Sequence, residues 1–230
     1  MYTLLKTTLL SPPVYHELFK GVGIIEKDAR HYIYQWATTI PDNQRVERQA
    51  ELFELGWWCE SALPRAYLVT LLYSSLPALW HDSKYINDTF SVCKSLQHPL
   101  KGSFLITRLH SFLLKIYFII ENEEIRTLLM GFSVESFTTL LRLFVRWHQS
   151  LPSKSTDPSY VASLFNESFV NIFGEIARMC TFDMFEAVVL PTFLVEIVNC
   201  ADPLAQSLLF ESIIKVIEKI IMYILCLFVS

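Results

Sequence analysis

The chain has 230 residues, of which 52% are hydrophobic and 18% are charged, and its formal net charge is −4. This composition excludes a disordered protein, because disorder requires few apolar residues and a high net charge. With only 6 glycines, tight β-turns and phosphate-binding loops are scarce, which disfavours all-β folds and nucleotide-binding α/β folds. All-helical and membrane-embedded proteins remain.

Two predicted helices precede a long apolar segment. Pro12 starts the first helix, with Ser11 as its N-cap. Residues 43–60 predict an amphipathic second helix, because their apolar residues, Val46 and Leu55 among them, fall largely on one side.

The middle of the chain continues in helical segments. Residues 61–80 are apolar on nearly all sides, which is typical of a helix buried among neighbours. A short helix over residues 84–95 follows, and Pro99 begins the next one. The acidic residues 121–124 predict a solvated turn, which precedes a helix over residues 133–150.

Aspartate-proline pairs organise the C-terminal part. Asp157 is predicted to cap a long helix that begins at Pro158, and Asp202 to cap the last helix, which begins at Pro203. Pro191 predicts a kink or an early break in the element between them.

About nine predicted helices thus alternate with short connections, and no segment has the period-2 alternation of a strand ladder. Short connections make neighbouring helices antiparallel, and stacked antiparallel hairpins form an α-solenoid. The sequence therefore predicts an all-α, HEAT-like solenoid of antiparallel helix hairpins, with a compact bundle as the alternative.

The sequence has no motif of phosphate binding, dinucleotide binding, serine hydrolysis or zinc proteolysis, so no enzyme and no cofactor is predicted. The 5 cysteines are widely spaced, which predicts reduced thiols rather than disulfides or a zinc site. Basic residues do not cluster, so no nucleic-acid partner is expected. The pair Trp57 and Trp58 is compatible with an interface hot spot, or with one buried and one partly exposed ring.

The C-terminal segment is the one serious candidate for a membrane helix. Residues 213–230 are strongly apolar, but Lys215, Glu218 and Lys219 interrupt their first half, and residues 220–229 are too few to span a bilayer. A helix that packs against a missing neighbour is favoured. A membrane-associated helical protein anchored by this segment is the alternative. The N-terminal residues lack the pattern of a signal peptide.

Four stretches of the sequence are distinctive. They are Leu10-Ser11-Pro12 with Tyr15, Glu17 and Leu18, then Pro64-Arg65-Ala66-Tyr67-Leu68, then Gln97-His98-Pro99-Leu100-Lys101-Gly102-Ser103-Phe104-Leu105, and finally Val198-Asn199-Cys200-Ala201-Asp202-Pro203-Leu204-Ala205-Gln206. Taken in order, they resemble segments of one known family, the vacuolar protein sorting-associated protein 35 family, whose members are the α-solenoid scaffold of the retromer coat. The resemblance extends over residues 10–216 and covers only the N-terminal part of a full-length member.

This resemblance implies an interaction role. It implies that the arrestin-like retromer subunit, vacuolar protein sorting-associated protein 26, docks on the helix of the second stretch. Arg65 would be the main contact, and Pro64, Tyr67 and Leu68 would shape and support that helix. The interpretation left open is that Arg65 merely pairs with a local acid such as Glu60.

The resemblance further implies sorting of receptors from endosomes to the Golgi or the cell surface. Sorting nexins and a small GTPase of the Rab family are expected as further partners. The expected location is cytoplasmic and peripheral on the endosomal membrane, through indirect association.

The sequence also departs from the family. Ala66 replaces a leucine, which would weaken docking by about 1–3 kcal/mol if this residue lay buried in the interface. Residues 217–230 no longer resemble the family. The expected organisation is therefore a truncated N-terminal solenoid over residues 1–216, followed by a divergent apolar helix over residues 217–230.

Overall fold

The computed structural model describes residues 12–96, 99–150 and 158–229, and the side chains of residues 21, 23–96, 101–149, 165–181 and 183–218. Within these residues there are nine α-helices of at least 10 residues and no strand, which confirms the all-α prediction. The helices are α1 (Pro12–Thr39), α2 (Asp42–Trp57), α3 (Ala62–Ser75), α4 (Ser83–Lys94), α5 (Pro99–Ile119), α6 (Glu123–Ser150), α7 (Pro158–Met179), α8 (Leu190–Asn199) and α9 (Pro203–Val229).

The chain divides into two compact units, an N-terminal unit, Met1–Leu129, and a C-terminal unit, Met130–Ser230. In the N-terminal unit α3 is the central helix, because it contacts α1, α2, α4 and α5. Its side chains are buried on nearly every side, as its composition predicted.

The C-terminal unit is built around phenylalanines of α6, α7 and α8. Phe144 of α6 contacts Phe165 of α7, and Phe137 of α6 contacts Phe173 of α7, so these two helices are antiparallel. Phe137 also stacks on Phe193 of α8, with ring centroids 4.0 Å apart. Helix α9 packs on α7. Such layers of antiparallel neighbours are the solenoid arrangement that was predicted.

The predicted apolar side of α2, which also included Phe53 and Trp57, is correct only in part. Val46 and Leu55 are exposed, and the buried face carries Gln49, Phe53 and Gly56, which follow one another at i, i+4 and i+7. Gln49 is buried because both ends of its amide are hydrogen-bonded: Nε2 donates to the carbonyl of residue 37 and Oε1 accepts from the N–H of residue 78. A glutamine therefore occupies a core position that a count of apolar residues assigns to solvent.

The predicted acidic turn is shorter than residues 121–124. Helix α6 begins at Glu123 because the side chain of Asn122 accepts from the N–H groups of Glu124 and Ile125, at 2.9 and 3.2 Å. The two glutamates then lie in the first turn, where the helix dipole favours negative charge.

Pro191 does not break its helix. A helical turn, Phe182–Met184, and a π-helical stretch, Phe185–Val189, lead directly into α8, and the N–H of Leu190 donates to the carbonyl of Phe185. The wider π-helical stretch ends two residues before Pro191, which has no N–H to donate, and the segment stays helical through this proline.

Helix α6 is the one described helix that is long and apolar enough to cross a bilayer, over Glu123–Gln149. Most of its apolar window is buried inside the protein, as in the core helices of globular proteins. The membrane alternative was placed at residues 213–230, and the side chains beyond residue 218 lie outside the described residues.

Helices α8 and α9 are separated at Ala201, whose φ of 51° is the one positive value among non-glycine residues that the structure describes. The next residue, Asp202, caps α9 as predicted, since its Oδ1 accepts from the N–H of Ala205 at 2.9 Å. The left-handed conformation at Ala201 is unfavourable for a residue with a Cβ.

Ala201→Gly is expected to raise the free energy of unfolding of the C-terminal unit by about 0.5–1 kcal/mol, because glycine adopts this conformation without a Cβ penalty. Urea denaturation followed by circular dichroism measures the change. Ala177→Gly, inside α7, is the matched control and should lower stability by about 1 kcal/mol. If Ala201→Gly and Ala177→Gly lowered the free energy of unfolding by similar amounts, the backbone at Ala201 would not be strained.

Candidate partner-binding site

The site begins at the connection between α2 and α3, residues 58–61. Helix α2 ends in a tighter turn: the N–H of Trp58 still donates to the carbonyl of Glu54, four residues back, whereas that of Cys59 donates to Gly56, three residues back. Ser61 then has extended backbone angles, and α3 starts at the next residue. The four predicted site residues lie in the first two turns of α3, directly after this connection.

Arg65 is fixed to that connection by two hydrogen bonds. Its Nε donates to the carbonyl oxygen of Cys59 at 2.7 Å, and its Nη2 donates to that of Glu60 at 3.3 Å. The interpretation left open, in which Arg65 pairs with the acid of Glu60, is wrong, because the bond goes to the main-chain carbonyl instead of the carboxylate. Nη1 makes no hydrogen bond to the described residues, and the side chain is half-exposed.

Two of the predicted site residues face the interior of the N-terminal unit. Pro64 is buried, and Tyr67 is 1% exposed, with its ring 6.2 Å from that of Phe104. Burial raises the pKa of the Tyr67 hydroxyl, and the nearby negative charge of Glu26 raises it further. These residues hold α3 in place and do not reach the surface.

An ion pair lies beside Tyr67 and links α1 to α5. Nη1 of Arg108 is 2.6 Å from Oε2 of Glu26, whose side chain is 4% exposed. Arg30 binds the other carboxylate oxygen of Glu26. Sequence reasoning missed this pair, because its members are 82 residues apart (108 minus 26) and no motif connects them.

Ala66, the departure from the family pattern, also faces the interior. It is fully buried in a cluster with Tyr67, Val92, Leu96 and Leu105. The condition under which it would weaken docking, burial in an interface with a partner, therefore does not hold in this structure. The smaller side chain changes the core of the unit instead.

The C-terminal end of α2 exposes two apolar side chains. Trp58 is 78% exposed and Leu55 is 71% exposed, whereas Trp57 packs half-buried against the cluster that contains Ala66. Leu68, the fourth predicted residue, is half-buried near Gly56 of α2. We call Arg65, Leu68, Trp58 and Leu55 the α2–α3 edge. The tryptophan pair signalled this surface in the sequence, but only the end of α2 decides which ring faces outward.

The described residues offer little for metal or thiol chemistry. No group of three His, Cys, Asp or Glu side chains within them could hold a metal ion. Cys93 is buried, with Sγ 3.2 Å from the hydroxyl of Thr70, and burial raises the pKa of its thiol to about 11. A thiol with this pKa is inert at neutral pH.

Comparison with known proteins gives a consistent result. The family model described as vacuolar protein sorting-associated protein 35 matches residues 1–219. The protein of that name from Dictyostelium discoideum is 27% identical over 227 residues, covering 92% of this chain and 27% of the relative. Protein 35C of Arabidopsis thaliana is 27% identical over 236 residues, covering 94% of this chain and 28% of the relative. The protein 35 of Schizosaccharomyces pombe is 30% identical over 178 residues, covering 71% of this chain and 21% of the relative. The chain therefore spans less than a third of the length of these relatives.

Proposed function

The chain belongs to the vacuolar protein sorting-associated protein 35 family, and on this basis we propose that it is a scaffold subunit of the retromer coat in endosomal protein sorting. The match over residues 1–219 supports this proposal, because it includes every helix of the N-terminal unit. Stacked helices provide the extended surfaces with which solenoid proteins bind other proteins, so the fold is compatible with this role.

We further propose that the α2–α3 edge binds the arrestin-like retromer subunit. The observation that carries this proposal is Arg65, whose Nε and Nη2 are held by its own chain while Nη1 is left for a partner. A fixed guanidinium suits a carboxylate or carbonyl acceptor. Exposed Trp58 and Leu55 provide the apolar surface that interface cores require.

The position of Arg65 is also informative. It lies in the first turns of α3, where the helix dipole disfavours positive charge. A residue of this type at the N-terminal end of a helix weakens the helix unless another contact compensates. Its two carbonyl bonds compensate in part, and binding to a partner would account for the rest.

In this proposal the protein acts in the cytoplasm, on the endosomal membrane, through indirect association. Sorting nexins and a Rab-family GTPase complete the expected set of partners. We assign residues of this chain to the arrestin-like subunit only.

Arg65→Ala is expected to weaken binding of the arrestin-like subunit by about 30-fold or more, since truncation of an interface arginine at a hot spot costs 2 kcal/mol or more. Isothermal titration calorimetry with the two purified proteins measures the loss. Trp58→Ser should weaken binding as well, and because this side chain is exposed, its loss does not disturb the core.

Arg48→Ala is the matched control. Arg48 is an exposed arginine of α2 that pairs with Glu51, and its removal should change the affinity by less than about twofold. Equal binding by the wild type, Arg65→Ala and Trp58→Ser would show that the partner does not use the α2–α3 edge. Absence of binding by the wild type would reject the proposed partner.

A further inference from the structure

A groove lies between α6 and α8 in the C-terminal unit. These two helices run parallel, because Phe137 stacks on Phe193 near one end, and His148 Nδ1 lies 2.7 Å from Asp202 Oδ2 near the other. The facing side chains line an open groove of about 370 Å³. This volume is within the range of sites that bind small ligands or short peptide segments.

One wall of the groove is cationic. Arg142 and Arg146 follow each other at i and i+4 on α6, and both are exposed. Like charges at this spacing destabilise a helix slightly. The guanidinium of Arg142 forms no ion pair within the part of the chain that the structure describes. Two neighbouring guanidinium groups, one of them unpaired, form a surface that favours carboxylates.

The other surfaces of the groove restrict what fits. Leu141 is buried and Val145 is half-buried, so the lining beside the arginines is apolar. Glu196, half-buried on the α8 wall, forms no ion pair with described residues and can accept a hydrogen bond from a main-chain N–H. A ligand that carries only negative charge would be repelled by Glu196. A peptide offers both carboxylates and N–H donors.

The length of the groove also fits a peptide. Residues 141–149 of α6 span about 12 Å, which equals about four residues of extended chain. Carboxylates two residues apart on an extended chain are separated by about 6–7 Å. This separation matches the distance of about one helical turn between Arg142 and Arg146.

We propose that the α6–α8 groove binds an extended acidic peptide segment of another protein, with two carboxylates on Arg142 and Arg146 and an apolar side chain over Leu141 and Val145. This site is independent of the α2–α3 edge, so failure of the Arg65 experiment leaves it intact.

Fluorescence polarisation tests the proposal with a labelled peptide, Gly-Ser-Glu-Leu-Glu-Leu-Ser-Gly, and its counterpart with glutamine in place of both glutamates. We expect saturable binding of the glutamate peptide and at least about tenfold weaker binding of the glutamine peptide, since hydrogen bonds between charged groups account for such a factor. Arg142→Glu and Arg146→Glu should each lower the affinity for the glutamate peptide by about tenfold or more. Arg178→Glu is the control, because Arg178 is exposed on α7 and the substitution makes the same change in net charge. Its affinity for the glutamate peptide should stay within about twofold of that of the wild type.

Cys200 provides a second measurement, because it lines the groove and carries a free, half-buried thiol. The glutamate peptide should slow its alkylation by iodoacetamide, as followed by mass spectrometry. Alkylation of Cys59, a half-buried thiol of the N-terminal unit, should not change.

The proposal is overturned if binding of the peptide does not saturate, if Arg178→Glu lowers its affinity as much as Arg142→Glu does, or if the peptide does not protect Cys200 from alkylation. Equal displacement by inorganic phosphate and by unlabelled peptide would show a general anion site instead.

Discussion

Phe137→Ala is expected to lower the free energy of unfolding of the C-terminal unit by about 3–5 kcal/mol, which is the usual cost of removing a fully buried aromatic ring. Phe137 is 1% exposed and joins three helices, because it stacks on Phe193 and contacts Phe169 and Phe173. Few of these neighbours can move into the cavity, since each is itself buried. Hydrogen exchange of peptides from α7, measured by mass spectrometry over a urea series, reports the loss for this unit alone.

The matched control for this prediction is Phe210→Ala in α9. Phe210 is 44% exposed, so the same truncation should cost less than about 1 kcal/mol. If the two variants lost the same stability, the phenylalanine cluster would not be the centre of this unit.

Arg108→Met should destabilise the N-terminal unit by about 2–4 kcal/mol, because it leaves the buried carboxylate of Glu26 with only Arg30 as its partner. Methionine retains much of the apolar volume of the arginine stem, so the loss reflects the charge more than the packing. Urea denaturation followed by hydrogen exchange of peptides from α1 and α5 measures the change.

A double-mutant cycle separates the charge from the packing in this prediction. Adding Glu26→Gln to Arg108→Met should recover more than half of the lost stability, since no unpaired charge then remains buried. Arg48→Met is the control, because the exposed pair of Arg48 and Glu51 contributes at most about 1 kcal/mol. A loss at Arg108 no larger than at Arg48 would be incompatible with a structural role of the buried pair.

Local signals explain why much of the fold could be predicted from the sequence. Helices begin at Pro12, Pro99, Pro158 and Pro203 as expected, because proline has no N–H to leave unsatisfied in a first turn. The caps Ser11 and Asp157 lie outside the described residues. The domain prediction, with a change at residue 216, stays a prediction.

The errors arose where a contact across the fold outweighed the local pattern. Gln49 is buried because carbonyl and N–H groups of two other segments satisfy its amide. Periodicity counts only apolar residues, so it placed Val46 and Leu55 on the apolar side of α2 and left Gln49 out. At Pro191 the local rule was correct about the missing N–H, but a π-helical stretch accommodates it.

The candidate site was located in the sequence by resemblance, but its internal arrangement was not. The composition of residues 61–80 predicted a helix buried on nearly all sides, which agrees with the inward position of Tyr67, but it could not show that the ion pair of Glu26 and Arg108 lies beside this ring. Nor could it show that Arg65 binds carbonyl oxygens. The backbone path of residues 58–61 decides this, and no local signal encodes that path.

The two carbonyl bonds of Arg65 have an entropic consequence. A free arginine loses about 1.5–2 kcal/mol of rotamer freedom when a contact fixes it. Here most of that freedom is lost when the N-terminal unit folds, because Cys59 and Glu60 already hold the side chain. A partner therefore meets a preorganised guanidinium on a rigid helix, and the cost of ordering it does not reduce the affinity of the complex.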